Sequence, residues 1–286
     1  MMRSIINKKS LNKIKIIKLF FISIFSFLSN SKYGGSKNGF DLCITTHGNR
    51  FKFLGIALDS FAREGKNFIK NIYLTVDNEE NINWFKLLII KKLKKKGCKV
   101  IRGNASGPHS KYIYYLQQKW DYESSFFMID DDVIYDPDLV KNLFIESQYY
   151  DHSICARGYK LVLHKNKLKA YSTWNILTIS VEGYRVFPTN VGGSVIKKEF
   201  SNLLLKYYEK ALKDSPSNDD IWFHWLSVKY QKPFKKILNQ HSNPSIIPFS
   251  QTESLTDINS TLNDLVIKKI YTKDILNKLR FDPKST

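Results

Sequence analysis

Three adjacent carboxylates close an apolar run in Phe126-Phe127-Met128-Ile129-Asp130-Asp131-Asp132-Val133. The apolar part reads as a buried strand. Like charges at neighbouring positions repel unless a cation or solvent relieves them. Carboxylate oxygens suit a hard cation, magnesium or manganese, whose remaining positions commonly go to a substrate's phosphates. On an extended backbone Asp130 and Asp132 are expected to project to the same side. The end of a strand is also where open α/β sheets bind ligands. The plain alternative is a solvated acidic turn before Asp136-Pro137-Asp138. A second acidic pair lies in Ser217-Asn218-Asp219-Asp220-Ile221-Trp222. It stands at the start of a helix expected to run to about Tyr230, with Asn218 or Asp219 as its cap. Capping and the macrodipole alone account for two acids there. Thr189-Asn190-Val191-Gly192-Gly193 supplies adjacent glycines, which let backbone approach a ligand or simply turn the chain.

The elements that must position these residues alternate in type. Phe40–Thr46 reads as a first strand, followed by a loop with Arg50 and a helix over Phe51–Arg63. A second strand covers Asn71–Asp77, an amphipathic helix Trp84–Lys96, and a short third strand Lys99–Ile101. A helix over Ser110–Trp120 precedes the fourth strand, Phe126–Asp130. Strands alternating with helices predict a mainly parallel sheet. After the triplet the pattern turns mixed, with strands or a hairpin over Ile154–Leu163 and Lys167–Ile176. A polar tail from about His241 carries a helix near Leu262–Leu279. No Walker-type or Gly-x-Gly-x-x-Gly loop occurs, so a P-loop or dinucleotide-binding reading has no support.

At 286 residues and 43% hydrophobic the chain can build a sizeable core. Its formal net charge of +19 favours polyanions: nucleic acid, anionic lipid or phosphorylated substrates. Cys43, Cys98 and Cys155 are odd in number and scattered without metal-ligand spacing; Cys43 and Cys98 sit in apolar, strand-like contexts and read as buried thiols, and a reducing compartment is the simpler inference. Residues 1–32 stand apart. Lys8, Lys9, Lys13, Lys15 and Lys18 precede a short apolar run, Leu19 to Leu28, too short to span a bilayer comfortably. On a helix Asn12, Lys15, Lys18, Ser23, Ser26 and Asn30 fall roughly on one side and Ile16, Ile17, Phe20, Ile24 and Phe27 on the other. That pattern predicts an in-plane helix on an anionic membrane surface, with a signal or anchor, or a helix packed on the domain, as alternatives. The expected organisation is this helix over 1–32, a linker over 33–39, a catalytic domain over 40–245 and a helical tail over 246–286.

Taken in order, Thr45-Thr46…Arg50, Asp77, Lys111-Tyr112, Asp130-Asp131-Asp132, Val191-Gly192-Gly193 and Asp219-Asp220-Ile221-Trp222 resemble the glycosyltransferase-A pattern. The likeness is to bacterial glycosyltransferases of capsular and lipooligosaccharide synthesis. It covers roughly Phe40 to Asp264, including Gln251…Ser254-Leu255…Asn259…Asn263-Asp264. Thr189-Asn190 departs from the Gly-bearing stretch of that pattern, and Lys197-Lys198 from its prolines. The resemblance implies an α/β fold of glycosyltransferase-A type, a mainly parallel mixed sheet flanked by helices in a single catalytic domain. It implies a nucleotide-sugar donor, a UDP-sugar first among them, and Mn2+ or Mg2+ held by Asp130 and Asp132. Thr45, Thr46, Arg50, Asp77, Lys111, Asp130 and Asp131 are implied as donor-binding. Gly192, Gly193 and Trp222 are implied as acceptor-binding, although Trp222 reads first as core of its helix and only second as a sugar-stacking platform. Asp220 is implied as the base that deprotonates the acceptor, with Asp219 as competitor, in a single inverting displacement. His241 is a further ligand candidate, or an ordinary loop residue. The acceptor would be a glycan or lipid-linked glycan, met in the cytoplasm at the inner face of the membrane.

Two other functions fit parts of the pattern. A metal-dependent phosphoryl-transfer enzyme or nuclease would use the triplet and the basic surface, but needs further ligands for two metals. A non-enzymatic basic protein on membrane or nucleic acid would leave the triplet unexplained, and no nucleic-acid motif supports specific binding of that kind.

Overall fold

The computed structural model describes residues 16–118, 125–165, 167–238, 245–250 and 255–282. His241, Gln251 and Ser254 lie outside them. A first helix, α1, covers 16–28. The body opens with β1 (Phe40–Thr46), α2 (Phe51–Ala62), β2 (Ile69–Asp77), α3 (Trp84–Lys95) and β3 (Cys98–Gly103). A 3-10 turn, Gly107–Lys111, leads into α4 (Ile113–Gln118), and then come β4 (Phe126–Met128), β5 (Val133–Ile134) and α5 (Leu139–Gln148). Short strands follow: β6 (Ile154–Cys155), β7 (Gly158–Lys160), β8 (Leu163–His164), β9 (Lys167–Leu168), β10 (Asn175–Ile176), β11 (Val181–Gly183), β12 (Val186–Pro188) and β13 (Ser194–Ile196). The chain closes with α6 (Lys198–Lys206), α7 (Tyr208–Asp214), α8 (Asp219–Lys229), β14 (Phe234–Lys236), β15 (Ser245–Ile246), α9 (Leu255–Ile270) and α10 (Lys273–Arg280).

Eight strands form the central sheet in the order β11-β14-β6-β13-β4-β1-β2-β3. β1 pairs in parallel with β2 and β4, as do β2 with β3 and β14 with β6. β13 runs antiparallel between β4 and β6, and β11 antiparallel to β14. This is the α/β architecture with a mostly parallel mixed sheet. Cys43, Tyr73, Phe126 and Met128 point into one core, with residues of α4, α6 and α8 to α10. Leu42, Ile44, Leu74 and Phe127 point into the other, with α2, α3 and α5. Both faces are covered, which is why these strands read as continuous apolar runs rather than alternating ones. All three cysteines are buried and none is in a disulfide.

Two expectations change. The tail is not an appendage: Ile267, Ile270, Tyr271, Ile275 and Leu279 belong to the first core. Trp225 Nε1 donates to the Ile270 carbonyl at 2.9 Å, and the His224 ring bonds the Tyr271 hydroxyl at 2.6 Å. The faces of α1 also differ from the expected pair. Ile16, Leu19, Phe20 and Ile24 pack against Ile56, Ala57, Ile134 and Ile247. The side carrying Ser23 and Ser26 turns inward as well. Ser23 is fully buried, and Ser26 Oγ donates to the buried Asp59 at 2.5 Å. Phe27 fills the space that a side chain on Gly55 would need, its ring 2.8 Å from where a Cβ would stand. Buried Lys96 donates to the Ser26 and Ser31 carbonyls.

Removing residues 1–30 therefore uncovers apolar surface and strips Asp59 and Lys96 of partners. The truncated protein is expected to lose at least about 3 kcal/mol of stability. Urea unfolding of full-length and truncated chains checks this, and equal midpoints would contradict the packing of α1.

Candidate functional site

β1 and β4 are adjacent and parallel, so their C-terminal ends emerge side by side. Thr45, Thr46 and Arg50 follow from the first end and the acid triplet from the second. β4 stops at Met128, and Asp131 and Asp132 lie in a turn. Strand alternation therefore does not apply to the triplet and cannot set Asp130 and Asp132 on one side, although the Asp130 charge still raises the Asp132 carboxyl after burial does. Arg50 instead forks across Asp131 and Asp132, with a nitrogen 3.1 Å from each carboxylate. Asp130 turns the other way, to Lys111. The turn is fixed from below: the Asp130 N–H donates to the Tyr135 hydroxyl at 2.8 Å, and the Tyr135 N–H donates to Ser60 Oγ at 2.9 Å.

Lys111, from the 3-10 turn before α4, is almost wholly buried. Its amine binds Asp130 and also lies 3.3 Å from Asp219 Oδ2. That one side chain joins the triplet to the acid pair of α8. α8 begins there because the Asn218 side chain accepts from the Ile221 N–H at 2.9 Å. Asn218 is the cap, which leaves both acids free for other contacts. Asn190 ties them to the opposite loop. Its N–H donates to Asp220 Oδ1 at 2.9 Å and its Nδ2 to Asp219 Oδ2 at 3.1 Å. Next to it, Thr189 Oγ1 accepts from Arg157 at 2.9 Å.

The electrostatics are unbalanced. Among the described residues, Asp130, Asp131, Asp132, Asp219 and Asp220 are ion-paired with or face two permanent cations, Arg50 and Lys111, with His47 also near Asp131. Burial alone would lower the Lys111 pKa, but Asp130 and Asp219 outweigh it and raise it. Burial likewise opposes the charge of Arg50, and Asp131 and Asp132 reverse that. Burial raises the Asp131 carboxyl, with Arg50 and the nearby Thr46 hydroxyl pulling the other way. Its Oδ2 and Thr46 Oγ1 are buried and make no hydrogen bond of normal length. Asp132 is pushed up to about 6 by burial and then by Asp130. Asp220 is raised well above the usual carboxylate range by burial and then by Asp219, against Lys111 and the Asn190 N–H. It nonetheless keeps part of its surface open.

A divalent cation fits this charge pattern only in part. Among the described residues no group of three or more His, Cys, Asp or Glu side chains converges to hold one. Asp130 is the most open of the triplet, and Asp132 has only a shared half of one guanidinium. Two carboxylates suit an ion whose other ligands are substrate phosphates and water.

The remaining expected residues divide. Thr45 Oγ1 donates to the Thr75 carbonyl at 3.1 Å. Asp77 closes β2 on the same rim, but its carboxylate accepts from the Glu79 N–H in its own turn at 3.0 Å. The acceptor assignments are corrected. Trp222 is fully buried in the core, stacked on Trp225 with ring centroids 4.7 Å apart, so it presents no face to a sugar. Gly192 is buried, and a Cβ there would meet Arg157 Cβ at 2.3 Å, while Gly193 adopts φ +84° against Leu139 and Leu143. Their freedom serves packing. Sequence reading missed Asn190 and Arg157. The departure Thr189-Asn190 from the family pattern was the available signal for the first, and the lone cation between β6 and β7 for the second.

No protein-family model matches the chain, and no curated protein does. Solved structures give distant likenesses. The 4-diphosphocytidyl-2C-methyl-D-erythritol synthase from Anaerococcus prevotii is 13% identical at a TM-score of 0.47, covering 83% of this chain and 99% of that one. S. aureus TarS 1-349 is 15% identical at 0.47, covering 85% and 70%. The inositol-1-phosphate CTP transferase from T. maritima is 14% identical at 0.44, covering 83% and 99%. Likenesses at this level assign no activity; Lys111 and Asn190 draw the two acid groups into one cluster.

Proposed function

We propose that the chain is a metal-dependent glycosyltransferase that moves a sugar from a nucleotide-sugar to a glycan hydroxyl in one inverting displacement. The observation that carries this reading is the Lys111 bridge between Asp130 and Asp219. It makes a donor-side acid triplet and an acceptor-side acid pair into two ends of one cleft. A donor diphosphate is itself an anion, and five carboxyl groups against two cations would repel it. Asp130 and Asp132 would hold a divalent ion, which would offset that charge and supply Lewis-acid stabilisation to the departing nucleoside diphosphate. Arg50 is placed to exchange a carboxylate for a phosphate oxygen with charge-assisted hydrogen bonds. Thr45, Thr46 and Asp77 on the same rim serve the nucleoside end.

Asp220 acts as base. The Asn190 N–H holds its Oδ1, fixing the carboxylate, while Asp219 beside it raises its proton affinity. A base must be ionised to accept the hydroxyl proton, so the rate rises with pH as Asp220 loses its own proton. Asp219 is occupied by Lys111 and Asn190 and acts as the positioning residue. A two-metal phosphoryl-transfer site would need further ligands, and no such group converges among the described residues.

Asp132→Asn tests the donor end. The variant is expected to lose nearly all transfer while remaining folded. The Asp132 pKa is raised in the fold from 3.8 to about 6. Its stabilising protonation is therefore complete below about pH 4 and lost as pH rises through about 6. Asp132→Asn removes that loss, so its stability falls less than wild type between pH 4 and pH 6. Chemical unfolding across this range, beside initial rates, checks both parts. Near-normal transfer by the variant in the presence of chelator would remove Asp132 from the metal assignment.

A further inference from the structure

Ile17, Phe21, Ile22, Phe25 and Leu28 stand outward on α1, each between 37% and 70% exposed. Positions 17, 21, 25 and 28 form one stripe at helical spacing, with Ile22 beside it. The contact with the domain does not use this face, because Ile16, Leu19, Phe20, Ser23, Ile24, Ser26 and Phe27 already make it. A contiguous apolar surface of this kind marks an interaction site.

The charge around the stripe selects the partner. Arg3, Lys8, Lys9, Lys13 and Lys15 precede it in the chain, Lys18 is exposed on the helix itself, and no acid occurs before Asp41. At the other end Lys92 donates to the Leu28 carbonyl at 2.7 Å and Lys96 to the Ser26 carbonyl at 2.9 Å. These bonds bring the C-terminal end of α3 against that of α1. Lys91, Lys94 and Lys95 are exposed there. Trp84 and Leu88, 74% and 54% exposed, share a helical face with Lys91 and Lys95. Apolar surface flanked by cations at both ends, with a nearby exposed Trp, is the chemistry of an anionic membrane interface.

We propose that α1 and the outer face of α3 form a docking surface for an anionic lipid bilayer, with α1 lying in the interface. A second copy of the chain would bring these lysines together on a molecule already at +19. A nucleic acid would leave the stripe uncovered. No described helix is long and apolar enough to cross a membrane. This proposal does not depend on the reaction in the cleft.

Flotation of the full-length protein with phosphatidylcholine vesicles, with and without a third of phosphatidylglycerol, tests it. The protein should float with the anionic vesicles and be released by about 0.5 M salt, as screening of exposed charge requires. Phe21→Glu with Phe25→Glu, outward positions that leave the packed face intact, should reduce bound protein at least about tenfold with unchanged circular dichroism. Lys91→Glu with Lys95→Glu should weaken binding without touching α1. Failure of the wild type to float with anionic vesicles overturns the proposal, as does flotation of the Phe21/Phe25 variant at wild-type levels. Equal binding to neutral vesicles overturns the role of the lysines. A wild-type dimer in sedimentation velocity that the Phe21/Phe25 variant converts to monomer would assign the stripe to a second copy instead.

Discussion

Asp220→Asn is expected to lower turnover by about a hundred- to ten-thousand-fold, the usual contribution of a positioned general base. The amide keeps the shape of the side chain, and its oxygen can still accept from the Asn190 N–H, but it cannot take a proton. Donor affinity should change little, because the phosphate contacts proposed above are at Arg50 and the triplet, on the far side of Lys111. The pH profile separates this role from a structural one. Asp220 is raised well above the ordinary carboxylate range, so wild-type rates climb with pH through its ionisation. In Asp220→Asn that limb disappears. Asp219→Asn should instead weaken the Lys111 and Asn190 contacts and leave the limb in place. Calorimetry of nucleoside diphosphate binding beside initial rates checks the assignment. Loss of nucleotide binding in Asp220→Asn would move that carboxylate to the donor end.

Lys111→Met should be the most destabilising single change in the cleft. It leaves Asp130 and Asp219 in a buried setting without their shared cation. Removing one partner of a buried charge pair typically costs about 3–5 kcal/mol. In the fold the Lys111 pKa is raised, so its stabilisation is complete at neutral pH and is lost only as pH rises above its unfolded value. The deficit of the variant should also shrink in acid, where the stranded carboxylates take up protons. Thermal unfolding at pH 5 and pH 7.5 checks both the size and the slope. An unchanged melting temperature at both would show that Asp130 and Asp219 do not rely on this amine. Transfer should fall with the same substitution, since the two ends of the cleft are no longer held together.

The first half of the fold was legible because its signals are local. β1, β2, α2 and α3 each bury one continuous or periodic apolar set, and their bounds follow the sequence within a few residues. The acids were legible as chemistry for the same reason: adjacent carboxylates after an apolar run have few structural uses. Their pairing was not. Strand alternation places Asp130 beside Asp132 only if the strand continues, and it ends at Met128. The long-range contacts of Lys111 and Asn190, 108 and 29 residues from Asp219 along the chain, leave no local trace. The glycines and Trp222 carried two readings in the sequence because a buried role and an exposed one demand the same residue types. A small residue is needed wherever Arg157 crowds Gly192, and an indole serves a core as well as a sugar. α1 shows the same ambiguity. A helix carrying serines on one side and aromatics around the rest can turn either side inward, and Asp59, distant in sequence, decides it.

The most direct test of the central claim is release of nucleoside diphosphate from a panel of nucleotide-sugars by the full-length protein with manganese. The site as described predicts release from at least one UDP-sugar or related donor, abolished by chelator and by Asp132→Asn, and strongly reduced in Asp220→Asn. Pyrophosphate release from a nucleoside triphosphate, with no nucleoside diphosphate released from any sugar donor, would contradict it and make the cleft a nucleotidyl-transfer site.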